Sequence, residues 1–190
     1  MKAIRIAELG NPVVEAQLPI PVCNEDDVLI RIKAAGICHS DEHYRSGIAP
    51  PAQLPITPGH EIAGTIESTG SNISSRRVGE SVAVHYMRFC GVCSYCTSGN
   101  EQFCGKAEMI GKNTDGGWAE YITVPSVNAV RMPESIDFKT GAVMMCSTAT
   151  SFHALKKSRM LPGESVAVFG VGGLGMSAIQ LAYILGAEEV

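Results

Sequence analysis

The chain has 190 residues, 45% of them hydrophobic and 18% charged, with a net charge of −4. That is the make-up of a globular protein of one domain or slightly more. No long run of like charge is present, so neither nucleic acid nor an anionic membrane surface is an expected partner.

Taken in chain order, the first part reads as β-rich. Val28 to Ala34 alternates at period two, placing Val28, Ile30, Ile32 and Ala34 on one face. Further short strands are expected at Lys2–Ile6, Ile62–Ser68, Ser81–His85, Tyr121–Val124 and Ala129–Met132, punctuated by glycine and proline. A short helix is expected near Ser40, whose hydroxyl could cap it. Many short strands with such turns imply a compact, barrel-like β domain.

Four cysteines, Cys90, Cys93, Cys96 and Cys104, then fall in the run CGVCSYCTSGNEQFC, about residues 88–106. Short C-x2-C steps let thiolates converge on one ion, and four sulfurs suit a closed tetrahedral zinc that holds a loop lobe with little apolar material. An iron–sulfur cluster or disulfides are the alternatives. The seven-residue last gap and Gly105 depart from the C-x2-C-x2-C-x3-C-P ferredoxin spacing. Three scattered residues, Cys38, His60 and Cys146, could make a second, open metal site, with Asp41 and Glu61 as nearby carboxylates. Each is also readable as an ordinary buried core residue. The cysteine count is odd, and no apolar leader follows Met1-Lys2-Ala3-Ile4-Arg5, so a reducing, cytoplasmic setting is expected.

The character changes near Pro133. Asp137 to Lys157 has helical spacing, with Ala142, Met145, Ala149, Phe152 and His153 as inner-face candidates. Ser165 to Phe169 reads as a strand running into Gly170-Val171-Gly172-Gly173-Leu174-Gly175, and a helical period follows through Ile179, Ala182 and Tyr183. Glycines in that context permit a tight turn, a close approach of backbone to a pyrophosphate, and close helix–strand packing. The uncharged stretch from Ser165 to Ala187 is a buried strand and helix rather than a membrane span, since glycines interrupt it. The expected division is residues 1–147 and 148–190. A dinucleotide fold needs more βαβ units than these, so the chain reads as part of a longer one.

The order of motifs resembles the zinc-containing alcohol dehydrogenases of the medium-chain dehydrogenase/reductase superfamily. GICHSDEH, Gly59-His60-Glu61 with Gly64, Gly70 and Ile73, the four-cysteine lobe, DGGWAEY, CSTAT and GVGGLG occur in that family's order, and the likeness covers essentially the whole chain. It implies a β-rich GroES-like barrel catalytic domain followed by the start of an α/β Rossmann cofactor domain. It further implies two zinc ions per subunit, with NAD or NADP, and interconversion of a small alcohol with an aldehyde or ketone. By the same resemblance Cys38, His60 and Cys146 hold the catalytic zinc, a ligand set known for that enzyme class rather than derived from spacing.

The remaining roles also come from the resemblance. Glu61 is a carboxylate beside the metal, and Asp41 orients His60. Ser40 and His43 form a proton relay. His39 meets the cofactor pyrophosphate and Thr150 the nicotinamide, while Gly170, Gly172, Gly173, Leu174 and Gly175 cradle the phosphates. Read from the residues themselves, Trp118 packs in the β domain rather than meeting substrate, and Cys23, His85 and His153 are structural. A dimer or tetramer is implied for the parent, and little turnover for these 190 residues alone. A non-catalytic scaffold and a polyol- or formaldehyde-type dehydrogenase of the same superfamily are the competing readings; a zinc-free enone reductase would lack both cysteine sets.

Overall fold

The computed structural model describes all 190 residues, which divide into two compact units, Met1–Ala142 and Val143–Val190. In the first unit β1 (Lys2–Arg5) pairs antiparallel with β2 (Val14–Gln17). The main sheet is built from β3 (Asp27–Ala35), β4 (Ile62–Thr69) and β5 (Ser81–Val84), with α1 (His39–Ser46) between the first two. The lobe comes next as β6 (Met87–Arg88), α2 (Ser94–Thr97) and β7 (Glu108–Met109). Then come β8 (Tyr121–Pro125), β9 (Ala129–Arg131) and α3 (Phe138–Val143). The sheet order is β8-β3-β4-β5-β9, antiparallel throughout.

Period-two alternation explains why this sheet forms. Val28, Ile30, Ile62, Ile66, Val82, Val84 and Val124 point to one face and are essentially fully buried. Burying each such side chain stabilises the fold by roughly 1.5–3 kcal/mol before chain entropy is counted. The alternation in β3 weakens after Ile30, where register shifts fall at Leu29/Ile30 and Ile32/Ala34 against β4. Such irregularities bend a strand and re-aim the residues beyond them. Just past the end of β3 lies Gly36, whose N–H bonds the carbonyl of Glu61 at 2.8 Å.

The helix expected near Ser40 begins one residue earlier, and its cap is not the serine. Cys38 is the N-cap residue, and its N–H is bonded by the Asp41 carboxylate at 2.9 Å. A third-position carboxylate reaching back to the cap satisfies one of the orphan helix N–H groups.

In the second unit a π-helical turn, Met144–Thr148, leads into α4 (Ala149–Ser158), and α5 (Gly173–Ile184) packs on α4 around Leu155, Ala182 and Ala187. Ser151 Oγ donates to the Leu174 carbonyl at 2.8 Å. The π turn corrects the expected inner face. Ala142 is buried, but the later buried positions are Ser147, Ser151 and Leu155, while Ala149, Phe152 and His153 are exposed. One extra residue in a turn rotates everything after it by about 100°. The expected strand Ser165–Phe169 is reduced to one parallel bridge, Ser165 to Glu189, with Val166 N–H on the Glu189 carbonyl at 2.8 Å. Only Glu188–Val190 lies alongside to pair with it, and Phe169 is 98% exposed.

Candidate metal centres and dinucleotide turn

The end of β3 and the start of β4 bring three donors together. Cys38 Sγ, a His60 ring nitrogen and a Glu61 carboxylate oxygen all lie within 4.8 Å of one another. His60 and Glu61 are buried, and so is Asp41 beside them. Asp41 joins both strand ends: one oxygen takes the Cys38 N–H, and the other takes the Gly59 N–H at 3.1 Å and lies 3.5 Å from His60 Nδ1. That nitrogen has no hydrogen bond of good geometry. Burial pulls the His60 pKa down, but the Asp41 carboxylate and the Cys38 sulfur outweigh it and hold the imidazole at about 9. Two carboxylates and a sulfur packed around an imidazole are a costly arrangement for bare charges. A mixed set of thiolate, imidazole and carboxylate donors suits a borderline-soft divalent cation such as zinc.

The lobe carries the second donor set. Cys93 and Cys96 sulfurs are 3.4 Å apart, Cys90 and Cys96 3.9 Å, and all four, with Cys104, lie within 4.8 Å of one another. A tetrahedron with metal–sulfur bonds of about 2.3 Å spaces its sulfurs at about 3.8 Å, so the four fit a closed zinc site. The thiols titrate far apart. Backbone N–H groups of Val92 and Cys93 hold Cys90 down at about 6, while desolvation and the Cys93 thiol push Cys96 up to about 12. Thiols crowded against thiolates resist losing their last protons, and a cation removes that resistance.

The other expected residues divide between the units. Ser40 lies half-buried on α1 and its Oγ accepts from the Cys38 thiol at 3.6 Å. His39 and His43, one helical turn apart, meet edge to face with ring centres 4.7 Å apart. Cys146 is half-buried in the π turn of the second unit, and Thr150 is exposed near the start of α4. Gly170 to Gly175 form a turn into α5, with Gly172 as its N-cap, φ +91° at Gly170, and a Gly175 Cα so near the Gly170 carbonyl that no Cβ fits.

Two neighbours of the first centre were given no role at the site by the sequence. Tyr86 presents its ring edge to His60, with centroids 5.6 Å apart. Trp118, expected only to pack, donates its indole N–H to the Gly36 carbonyl at 3.0 Å and so pins the turn before Cys38.

Residues 24–134 match the alcohol dehydrogenase GroES-like domain. The chain is 37% identical over 192 residues to an alcohol dehydrogenase of Geobacillus stearothermophilus, covering 100% of this chain and 57% of that protein. It is 38% identical over 191 residues to an NAD-dependent alcohol dehydrogenase of Sulfurisphaera tokodaii, covering 96% of this chain and 55% of the relative. A cobalt- and zinc-bound thermostable alcohol dehydrogenase from Pyrobaculum aerophilum superposes with a TM-score of 0.91 at 34% identity, over 100% of this chain and 58% of that one. The chain thus spans little more than half the length of the proteins it matches.

Proposed function

The chain belongs to the alcohol dehydrogenase family that carries a GroES-like domain, and we propose that its full-length parent is a zinc-dependent oxidoreductase interconverting an alcohol with an aldehyde or ketone, using NAD or NADP. The observation that carries this reading is the convergence of Cys38, His60 and Glu61, with Asp41 bonded to both strand ends. In this proposal Cys38, His60 and Cys146 hold the catalytic zinc and Glu61 stands beside it. The four-cysteine lobe holds a structural zinc, since four sulfurs leave no open position.

Zinc, when bound, acts as a Lewis acid that favours the alkoxide of an alcohol near neutral pH. The rest is the chain's own work. Asp41 Oδ1, 3.5 Å from His60 Nδ1, sets its negative charge on that side of the ring and so favours the orientation that turns Nδ1 toward it. Ser40 Oγ receives the alcohol proton and His43 passes it to solvent. The Gly170–Gly175 turn and the N-terminus of α5 take the cofactor pyrophosphate, with His39 as a further contact. Thr150 lies against the nicotinamide. Positioning of this kind is the protein's contribution, while hydride chemistry belongs to the cofactor.

No helix is long and apolar enough to cross a membrane; a cytoplasmic homodimer or homotetramer belongs to the same proposal. The test is metal analysis of the full-length protein together with an alcohol panel and both cofactors. Two zincs per subunit are expected, and Cys146→Ser should abolish turnover while the lobe keeps its zinc. Turnover retained by that variant would remove Cys146 from the ligand set.

A further inference from the structure

Between β5 and β6 the chain passes from the sheet into the four-cysteine lobe through His85 and Tyr86. Tyr86 is the residue whose ring meets His60 edge-on, and it also stacks on His85 with centroids 5.7 Å apart. Its backbone is gripped on both sides by one side chain. Asn128 Nδ2 donates to the His85 carbonyl at 2.8 Å and to the Met87 carbonyl at 2.7 Å, the residues flanking Tyr86. The Asn128 carbonyl accepts the His85 N–H at 2.8 Å, and the Tyr86 carbonyl accepts the Ile110 N–H at 2.9 Å, next to β7.

Asn128 is completely buried, at the end of the 3-10 turn Ser126–Asn128 before β9. Pairing of β5 with β9 already aligns Val84 with Ala129, so the backbone bond to His85 only extends the ladder. The reach of the side chain to Met87 does more, since it crosses Tyr86 to the first residue of the lobe. A short primary amide supplies two neutral N–H donors from one nitrogen. A carboxylate of the same shape would set negative oxygens against two carbonyls.

We propose that Asn128 is a positioning residue: by gripping the carbonyls on either side of Tyr86 it holds that ring against His60 and ties the four-cysteine lobe to the neighbouring metal centre. The proposal rests on the reading of His60 as a metal ligand. Met87 and Ile110, the two ends of the lobe, are then mechanically joined to the imidazole. Loss of the lobe's metal loosens the Tyr86 contact as well as the lobe.

The test uses the full-length protein with cobalt in the His60 centre and zinc in the lobe, and the variants Asn128→Ala and Asn128→Asp. Expected are a shifted cobalt absorption spectrum and at least tenfold faster loss of cobalt to a chelator, with lobe zinc retained and kcat falling more than KM rises. Tyr86→Ala should reproduce the spectral shift, which covers the case of Asn128 variants that fail to fold. A lowered Tm with a wild-type cobalt spectrum and wild-type cobalt release would overturn the proposal, as would an unchanged spectrum in Tyr86→Ala. Wild-type protein that takes up metal in the lobe alone would instead sink the ligand reading of His60, and this proposal with it.

Discussion

Asp41 Oδ1 lies 3.5 Å from His60 Nδ1 while its other oxygen holds the Cys38 N–H, so one buried carboxylate joins two candidate metal donors that are 22 positions apart in the chain. Replacing it with Ala should leave the His60 ring without its orienting partner. Changes to such outer partners of metal ligands typically cost 10–100-fold in metal affinity or activity. The expected result for Asp41→Ala in the full-length protein is a loss of that size in zinc affinity at the His60 centre, read by chelator competition. The lobe zinc should remain. Because Asp41 also bonds the Cys38 and Gly59 N–H groups, the fold should lose about 1–3 kcal/mol as well.

Gly36 permits the approach that brings Glu61 into the site. A Cβ there would overlap Glu61 Oε2 and come within 2.9 Å of Glu61 Cβ. Gly36→Ala should therefore displace the Glu61 carboxylate rather than simply crowd a flexible tip. Overpacking at a buried contact costs about 1–3 kcal/mol. Thermal melts of Gly36→Ala should show that loss, with turnover of the full-length variant falling by at least tenfold. A variant with wild-type turnover would mean that Glu61 has no part near the reacting atoms.

Much of the first unit is legible in the residues. The alternation through Val28, Ile30 and Ile32 locates the central strand, and the C-x2-C-x2-C run locates the lobe. Other features depend on partners far along the chain. No local pattern marks the π turn at Met144–Thr148, so a regular helical period drawn from Ala142 onward runs a residue out of step. Ser165–Phe169 has strand composition, but a strand exists only where neighbours pair with it, and here one bridge to Glu189 forms. Tyr86 and Trp118 reach the first centre through tertiary packing, which spacing cannot reveal.

The lobe should release its metal on acidification. Metal binding requires all four thiols to be deprotonated, whereas without metal Cys96 keeps its proton until about pH 12. The metal-free form therefore binds more protons than the loaded form, and affinity falls as pH falls. With strands of only two residues each, the lobe has little other support. Zinc release followed by a dye should precede protease cleavage between Met87 and Met109, while the sheet core stays protected from hydrogen exchange. Simultaneous loss of lobe and sheet would show that the lobe metal supports the whole unit.

The glycines of the turn separate packing from ligand binding. At Gly175 a Cβ would overlap the Gly170 carbonyl oxygen, a backbone atom that cannot move aside cheaply. Gly175→Ala should thus destabilise the second unit itself, by roughly 1–3 kcal/mol. Gly172 is different: its φ is −74° and a Cβ there meets nothing within 4 Å. The empty space is what a close pyrophosphate would need. In the full-length protein Gly172→Ala should keep its melting temperature yet bind the nicotinamide cofactor at least tenfold more weakly, measured by fluorescence titration. Undiminished cofactor affinity in Gly172→Ala would move the phosphates away from this turn.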